Sequence, residues 1–88
     1  MAISVKNNVV TVEDDDLDIY LAEELKNALL ELYSKGKKKI SLDLAAVERI
    51  TTPAAQVILS AKKSFKDVNI NNAGASIILD LQKIGVEL

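Results

Sequence analysis

The sequence predicts an α/β domain with a mixed sheet of four or five strands and helices packed mainly on one face of that sheet. Short runs rich in β-branched residues alternate with longer stretches of helical periodicity, in the order β-β-α-β-α-β-α. Strands separated by helices pair in parallel through crossovers, whereas an opening pair joined by a tight turn is antiparallel. The 88 residues contain no internal repeat or linker, so we expect one domain over residues 1–88.

Composition limits the functions that this chain can have. Cysteine and histidine are absent, which excludes disulfides and removes the commonest general base and transition-metal ligand. The net charge of −2 and the scarcity of aromatic side chains argue against nucleic acid as a partner. No apolar run approaches the roughly 18 residues of a membrane-spanning helix. We therefore expect a cytoplasmic, non-enzymatic protein with no cofactor, no metal and no direct membrane insertion.

The chain opens with a predicted β-hairpin and an acidic loop. β-branched residues dominate two runs on either side of Asn7-Asn8, and asparagine tolerates the positive φ that a tight turn requires. Residues 13–16 then place four carboxylates in a row, which repel one another and need water. Carboxylate oxygens can hold a hard cation, but the spaced ligand pattern of a calcium loop is absent. We interpret this run as a solvated loop that precedes a helix.

Three amphipathic helices are predicted from spacing and end signals. The first extends from about Asp18 to Lys35, with Asp18 as its best cap and Gly36 as its stop. The second extends over about residues 53–66 and the third over about residues 75–84. A last extended piece is predicted at residues 86–88. The first helix has one apolar and one charged face, so we assign it a structural role.

A basic cluster surrounds the turn between the first helix and the following strand. Its members are Lys35, Lys37, Lys38 and Lys39. The simplest interpretation is a solvated turn whose charges offset the negative end of the helix dipole. A binding patch is the alternative.

The stretch from Lys38 to Phe65 organises the rest of the fold and is predicted to form a strand, a loop and a helix. Ile40, Leu42 and Leu44 alternate with polar residues, which is typical of a strand with one face in a core. Thr51-Thr52-Pro53 marks the start of the helix. A threonine hydroxyl can accept from a free first-turn N–H, and proline has no N–H to lose there.

The second helix has two unlike faces. One is predicted to pack on the sheet and consists of Ala54, Val57, Ile58, Ala61 and Phe65. The other is basic and polar but includes the apolar residues Ala55 and Leu59. Single exposed apolar side chains are common and need carry no function. The alternative is a partner-docking face at the first two turns. The residues predicted to make that contact are Thr51, Thr52, Ala55, Gln56, Leu59, Lys62 and Lys63.

The order and spacing of these features resemble the STAS domains, which comprise anti-sigma factor antagonists and the related C-terminal domains of sulphate transporters. The matching segments cover almost the whole chain and are, in order, VVTVEDDDLDIYLAEELKNALLEL, GKKKISLDLAAVERI, TTPAAQVIL and LDLQKIGVEL. The best matches are the LDIY start of the first helix and the lysine-rich turn into a strand that ends in Asp43-Leu44. The resemblance implies the fold already predicted from the pattern.

In STAS domains the loop before the second helix usually reads Asp-Ser-Ser-Gly-Leu-Gly, and a partner kinase phosphorylates its second serine. Here Thr51 stands for the aspartate, Thr52 for the first serine and Pro53 for the phosphoserine, and both glycines are replaced. The resemblance therefore implies that a phospho-switch has moved to Thr52, with Thr51 as the second candidate, or is absent. A phosphate on Thr52 would suit the helix dipole and disrupt an apolar contact. Asp43 would add repulsion if it lies nearby.

The resemblance implies two functions. The first is an anti-sigma factor antagonist-like regulator that docks the start of its second helix on an anti-sigma factor of the serine kinase or ATPase type. The alternative is a constitutive STAS subunit of a lipid-type ABC transporter, bound to its ATPase subunit, or of another complex without a phospho-switch. Loss of the phosphoserine position favours the alternative. Under either function we expect a monomer or a weak homodimer with a protein partner.

Overall fold

The computed structural model, which describes residues 2–86, contains a four-stranded mixed sheet, a second sheet of two short strands, and three helices. The strands are β1 (Ile3–Lys6), β2 (Val9–Val12), β3 (Asp16–Leu17), β4 (Lys39–Asp43), β5 (Arg49–Ile50) and β6 (Asp67–Asn71). The helices are α1 (Ile19–Ser34), α2 (Thr52–Ser64) and α3 (Ala75–Ile84). This architecture confirms the predicted fold class.

The large sheet has the strand order β1-β2-β4-β6, with β1 antiparallel to β2 and the other neighbours parallel. The hairpin turn is where the sequence predicts it, and Asn7 there has a φ of 57°. Helices α1 and α2 connect successive parallel strands, and both crossovers step across the sheet in the same direction. Because such crossovers are right-handed, both helices lie on the same face of the sheet.

The two faces of the sheet differ in burial, because both helices lie on one face. The buried strand residues form one face and include Val10, Val12, Ile40, Leu42 and Val68. On the other face, the pairing of the strands places side chains in two rows. One row is Val9, Ser41 and Asn69, and the other is Thr11, Asp43 and Asn71. None of these side chains is buried. The helices therefore cover one face and leave a mainly polar face open, as predicted.

The small parallel sheet of β3 and β5 was not predicted, because two residues are too few to display a strand period. The N–H groups of Glu48 and Arg49 both donate to the carbonyl oxygen of Asp15, at 2.7 and 3.0 Å. The N–H of Thr51 donates to the carbonyl oxygen of Leu17 at 3.1 Å. Since β3 leads into α1 and β5 leads into α2, these bonds hold the starts of the two helices side by side.

The ends of the helices follow the predicted signals. The Oδ1 atom of Asp18 accepts from the N–H of Leu21 at 2.9 Å and caps α1. Helix α3 ends at Gly85, whose φ of 106° suits glycine. Helix α2 begins one residue before Pro53 and ends at Ser64. Of the last extended piece predicted at residues 86–88, residues 87 and 88 lie outside the described range.

Candidate functional site

The start of α2 is anchored by Thr51, which occupies the N-cap position with an extended backbone. Its hydroxyl does not cap the helix, so that part of the prediction is wrong. Instead it donates to the carbonyl oxygen of Leu17 at 3.0 Å, the same carbonyl that accepts from the Thr51 N–H. Thr51 is half-buried there. Its side chain therefore joins the start of α2 to the end of β3 and is not displayed to solvent.

Thr52 is the first residue of α2, and its side chain is exposed. Within residues 2–86 its hydroxyl makes no hydrogen bond, so neither threonine of the Thr51-Thr52-Pro53 start supplies the predicted cap. The first turn carries no acidic residue and receives no side-chain cap. The positive end of the α2 dipole is therefore offset by neither a first-turn carboxylate nor a side-chain cap, and it lies beside the exposed side chain of Thr52.

The predicted exposure of Ala55 is wrong: Ala55 is 1% exposed and belongs to the hydrophobic core. Leu59, one turn later, is half-buried and packs against the same core. Val57, predicted to face inward, is only half-buried and borders the gap between α1 and α2. Helix α1 borders α2 on the Val57 side and α3 also packs on α2, so we attribute the burial of Ala55 and Leu59, on the opposite flank, to α3. The buried face of α2 is therefore wider than that of a helix that packs only on a sheet, and it extends toward α3.

The remaining predicted contact residues divide into two groups. Gln56 is exposed one turn after Thr52. Lys62 is half-buried and Lys63 is exposed. Since α2 rises about 1.5 Å per residue, these lysines lie roughly 15 Å along the axis from Thr52. The structure therefore brings Thr51, Thr52 and Gln56 together and separates them from the lysines.

Ile19 is an exposed apolar residue at this site that the sequence prediction did not include. It is the first residue of α1 and is 59% exposed. The small sheet holds this end of α1 next to the start of α2, and helical spacing aligns Ile19 with Lys26 and Tyr33 on the flank that borders α2. The sequence signal is the pair of large side chains Ile19-Tyr20, which precede the apolar stripe of α1 at its first turn. Tyr20 lies on another flank.

Asp43 does not approach the start of α2 through any hydrogen bond in the described part of the chain. Its Oδ1 atom accepts from the N–H of Ala45 at 3.0 Å and from the Asn72 amide at 3.4 Å. The carboxylate thus closes the loop that follows β4 and links it to the turn after β6. No direct contact therefore supports the predicted repulsion between the Asp43 carboxylate and a phosphoryl group on Thr52.

The acidic loop before α1 is held by its own backbone. The N–H of Asp16 donates to Oδ1 of Asp14 at 3.1 Å, and this bond, with a smaller contribution from the Asp15 side chain, lowers the pKa of the Asp14 carboxyl. The Asp16 carboxylate lies 4.0 Å from the guanidinium of Arg49. Across residues 2–86, no group of three or more potential ligand side chains is arranged to hold a metal ion.

Comparison with known proteins gives the family. The family model described as "STAS domain" matches residues 2–87. The chain belongs to the STAS domain family. The STAS domain also resembles a solved structure described as "Crystal Structure Analysis of Mglu", with a TM-score of 0.60 and 18% sequence identity. That alignment covers 83% of this chain and 19% of the other, so this chain spans about a fifth of the other protein's length and the likeness concerns the fold alone. A comparison with curated proteins found no match.

Membership of the STAS family gives this domain a general role in protein–protein interaction of the anti-sigma antagonist type. STAS domains are generally non-enzymatic. Among the three described helices, none combines the length and the apolar composition needed to cross a bilayer.

Proposed function

We propose that this STAS domain is an anti-sigma factor antagonist-like regulator that docks the start of α2 on a partner of the kinase or ATPase type. We further propose that phosphorylation of Thr52 switches this contact. One observation carries the proposal: at the family's recognition loop, the Thr52 hydroxyl is exposed and unbonded among residues 2–86, beside an uncapped helix start. A kinase can reach such a hydroxyl without unfolding the helix.

Thr52 is a better phosphoryl acceptor than its neighbours. The Thr51 hydroxyl is half-buried and already donates to Leu17. Pro53 has no hydroxyl. A phosphoryl group on Thr52 adds a charge of about −1.5 to −2 near pH 7. The positive end of the helix dipole favours that charge within the free protein, whereas an apolar partner surface would have to desolvate it. Phosphorylation should therefore weaken docking without unfolding the domain.

The proposed contact surface consists of the exposed side chains at the two helix starts. Thr52 and Gln56 supply its polar part and Ile19 its apolar part. Leu59 is only partly exposed and packs against the core, so it contributes at most an edge of this surface. Ala55 does not belong to it, since its burial allows no contact with a partner. Ala55 instead packs beneath the surface and fixes the position of α2.

A constitutive subunit of a lipid-type ABC transporter, or of a similar complex, is the second candidate function. The observation that favours it is Pro53 at the position where STAS domains usually carry the phosphoserine. In that case the same helix starts would contact an ATPase subunit permanently. Phosphorylation would then play no part, and a negative charge at Thr52 would matter only through its steric and electrostatic effect on one fixed interface.

Affinity capture from a lysate of the native cells tests the proposal. Wild type, Thr52→Glu and the matched control Ser76→Glu, which adds the same charge to an exposed residue at the start of α3, are each used as bait. We expect wild type and Ser76→Glu to retain a kinase or ATPase-type partner, and Thr52→Glu to retain about tenfold less. Mass spectrometry of protein isolated from the same cells should find a phosphoryl group on Thr52.

The outcomes separate the two candidate functions. Capture of an ATPase subunit by wild type with Thr52 unmodified would support the constitutive subunit instead, and equal yield from all three baits would contradict docking at the start of α2. Loss of the partner with Ser76→Glu as well as Thr52→Glu would mean that general charge, not the start of α2, controls binding. Failure of wild type to retain any partner of these classes would contradict both functions.

A further inference from the structure

The C-terminal half of α1 and the whole length of α2 border an apolar groove that continues into a basic cleft. The groove encloses about 470 Å³, and its apolar lining includes Leu29, Leu30, Tyr33, Val57 and Phe65. Although they are large and apolar, Leu30 and Tyr33 are 54% and 55% exposed. Tyr33 and Phe65 meet edge to face, with their ring centroids 5.6 Å apart, and both also line the adjoining cleft. The two cavities are thus one continuous surface.

Four lysines line the cleft at the far end of this surface: Lys37, Lys38, Lys63 and Lys66. All four side chains are exposed, and within residues 2–86 none of them forms an ion pair. Offsetting the dipoles of α1 and α2 explains why lysines follow each helix. It does not explain why they adjoin an open apolar groove. Like charges gathered without an internal partner favour an external anion.

We propose that this surface binds an acidic amphipathic helix of a partner protein. The apolar groove would receive the apolar stripe of that helix, and the lysine cleft its carboxylates, which is the helix-in-groove mode of recognition. Small-molecule sites bury most of their ligand, whereas this groove is open along its length, with Leu30 and Tyr33 exposed at its rim. A membrane surface would meet the rim but would not fill the recess that Leu29 and Phe65 line.

The topology also gives the direction of the bound helix. Helices α1 and α2 both connect parallel strands, so they run in the same direction and both end at the lysine cleft. Carboxylates are most favourable in the first turn of a helix, and cations are favourable near its last turn. The bound helix should therefore place its acidic first turn at the cleft and its last turn near Lys26 and Pro53, which line the other end of the groove. It would run antiparallel to α1 and α2.

This site adjoins the one proposed for the kinase or ATPase partner, and Gln56 belongs to both surfaces. Thr52 itself lines neither the groove nor the cleft. Pro53 is about 18 Å along the α2 axis from Phe65, a span that a helix of roughly 12 residues would cover, so the lysine cleft is remote from Thr52. Variants of Thr52 and of the cleft lysines therefore distinguish the two contacts.

Selection from a phage-displayed library of helical peptides tests the inference, with the full-length protein as bait. Selected peptides are then measured by fluorescence anisotropy against Lys37→Gln/Lys63→Gln and against Leu30→Gln. Matched controls are Lys6→Gln/Lys83→Gln and Leu79→Gln, which change exposed residues outside the surface. We expect the selected peptides to share acidic residues in the first turn followed by an apolar stripe. Each test variant should bind them about tenfold more weakly than its control, and Thr52→Ala should bind them like wild type.

Three results would overturn the inference. One is the absence of peptides with an acidic first turn and an apolar stripe among those enriched. Another is equal affinity of the test variants and their controls. The third is co-sedimentation with phosphatidylserine vesicles that depends on Lys37 and Lys63 while no peptide is selected, which would assign the surface to a membrane. Thr52→Glu losing its partner in the capture experiment would leave this inference unaffected.

Discussion

Aspartate in place of Ala55 is expected to lower the free energy of unfolding by about 3–5 kcal/mol, the largest loss expected from any substitution considered for this domain. Ala55 is 1% exposed within the core, and a carboxylate there would be buried without a charged partner. Uncompensated burial of a charge typically costs about 3–5 kcal/mol. A domain of this size has a total stability of roughly 4–13 kcal/mol, so the change removes a large part of it. The aspartate side chain is also larger than the methyl group of Ala55, so it crowds the hydrophobic core at this position.

Gln56→Asp provides the control for this variant, because it places the same charge one residue later on an exposed position. Both aspartates lie near the positive end of the α2 dipole, so the difference between the variants isolates burial. Urea denaturation followed by far-ultraviolet circular dichroism gives both free energies of unfolding. We expect Gln56→Asp to stay within about 0.5 kcal/mol of wild type. Equal stability of the two variants would mean that Ala55 faces solvent and that α2 is oriented differently.

Leu42→Ala is expected to have the second largest effect on stability. Leu42 lies in β4, between Val10 of β2 and Ile70 of β6 in the sheet register, and is fully buried. Truncation of a leucine at such a position removes apolar contacts and leaves a cavity, which costs about 2–5 kcal/mol. We expect a lower urea midpoint with an unchanged dependence of the unfolding free energy on urea concentration.

Leu79→Ala is the matched control for this truncation. Leu79 is 57% exposed on α3, and alanine is at least as good a helix former as leucine. Its free energy of unfolding should remain within about 0.5 kcal/mol of the wild-type value. A Leu42→Ala protein as stable as Leu79→Ala would contradict the position of β4 at the centre of the sheet.

The parts of the fold that depend on local signals could be predicted from the sequence. Asp18 caps α1 and Gly85 ends α3, and both act on residues within one turn of themselves. The alternating pattern of β4 likewise identifies its buried face. The order of strands and helices then leaves few topologies, because crossovers between parallel strands have one hand. Fold class and most helix boundaries therefore needed no information beyond the chain itself.

The errors at the candidate site come from contacts that are distant in sequence. A helical projection of α2 assumes one buried stripe, but α2 packs against α1 and α3 as well as the sheet, and Ala55 is buried. The Thr51 hydroxyl was expected to serve its own helix, whereas it donates to Leu17, which is 34 positions away. The β3–β5 pairing that makes this contact is too short to predict from periodicity. Thr52 and Gln56 were assigned to the surface correctly because no distant element covers them.

A partner protein that sits on the start of α2 should react with a photo-crosslinking amino acid placed there. Benzoylphenylalanine is therefore placed at Thr52 of the full chain in native cells, with Leu79 as the control position. Both sites are exposed, so either can react with a protein that touches it. We expect irradiation to give one discrete protein adduct from position 52 and none from position 79. Adducts from position 79 alone, or equal adducts from both positions, would contradict docking at the start of α2.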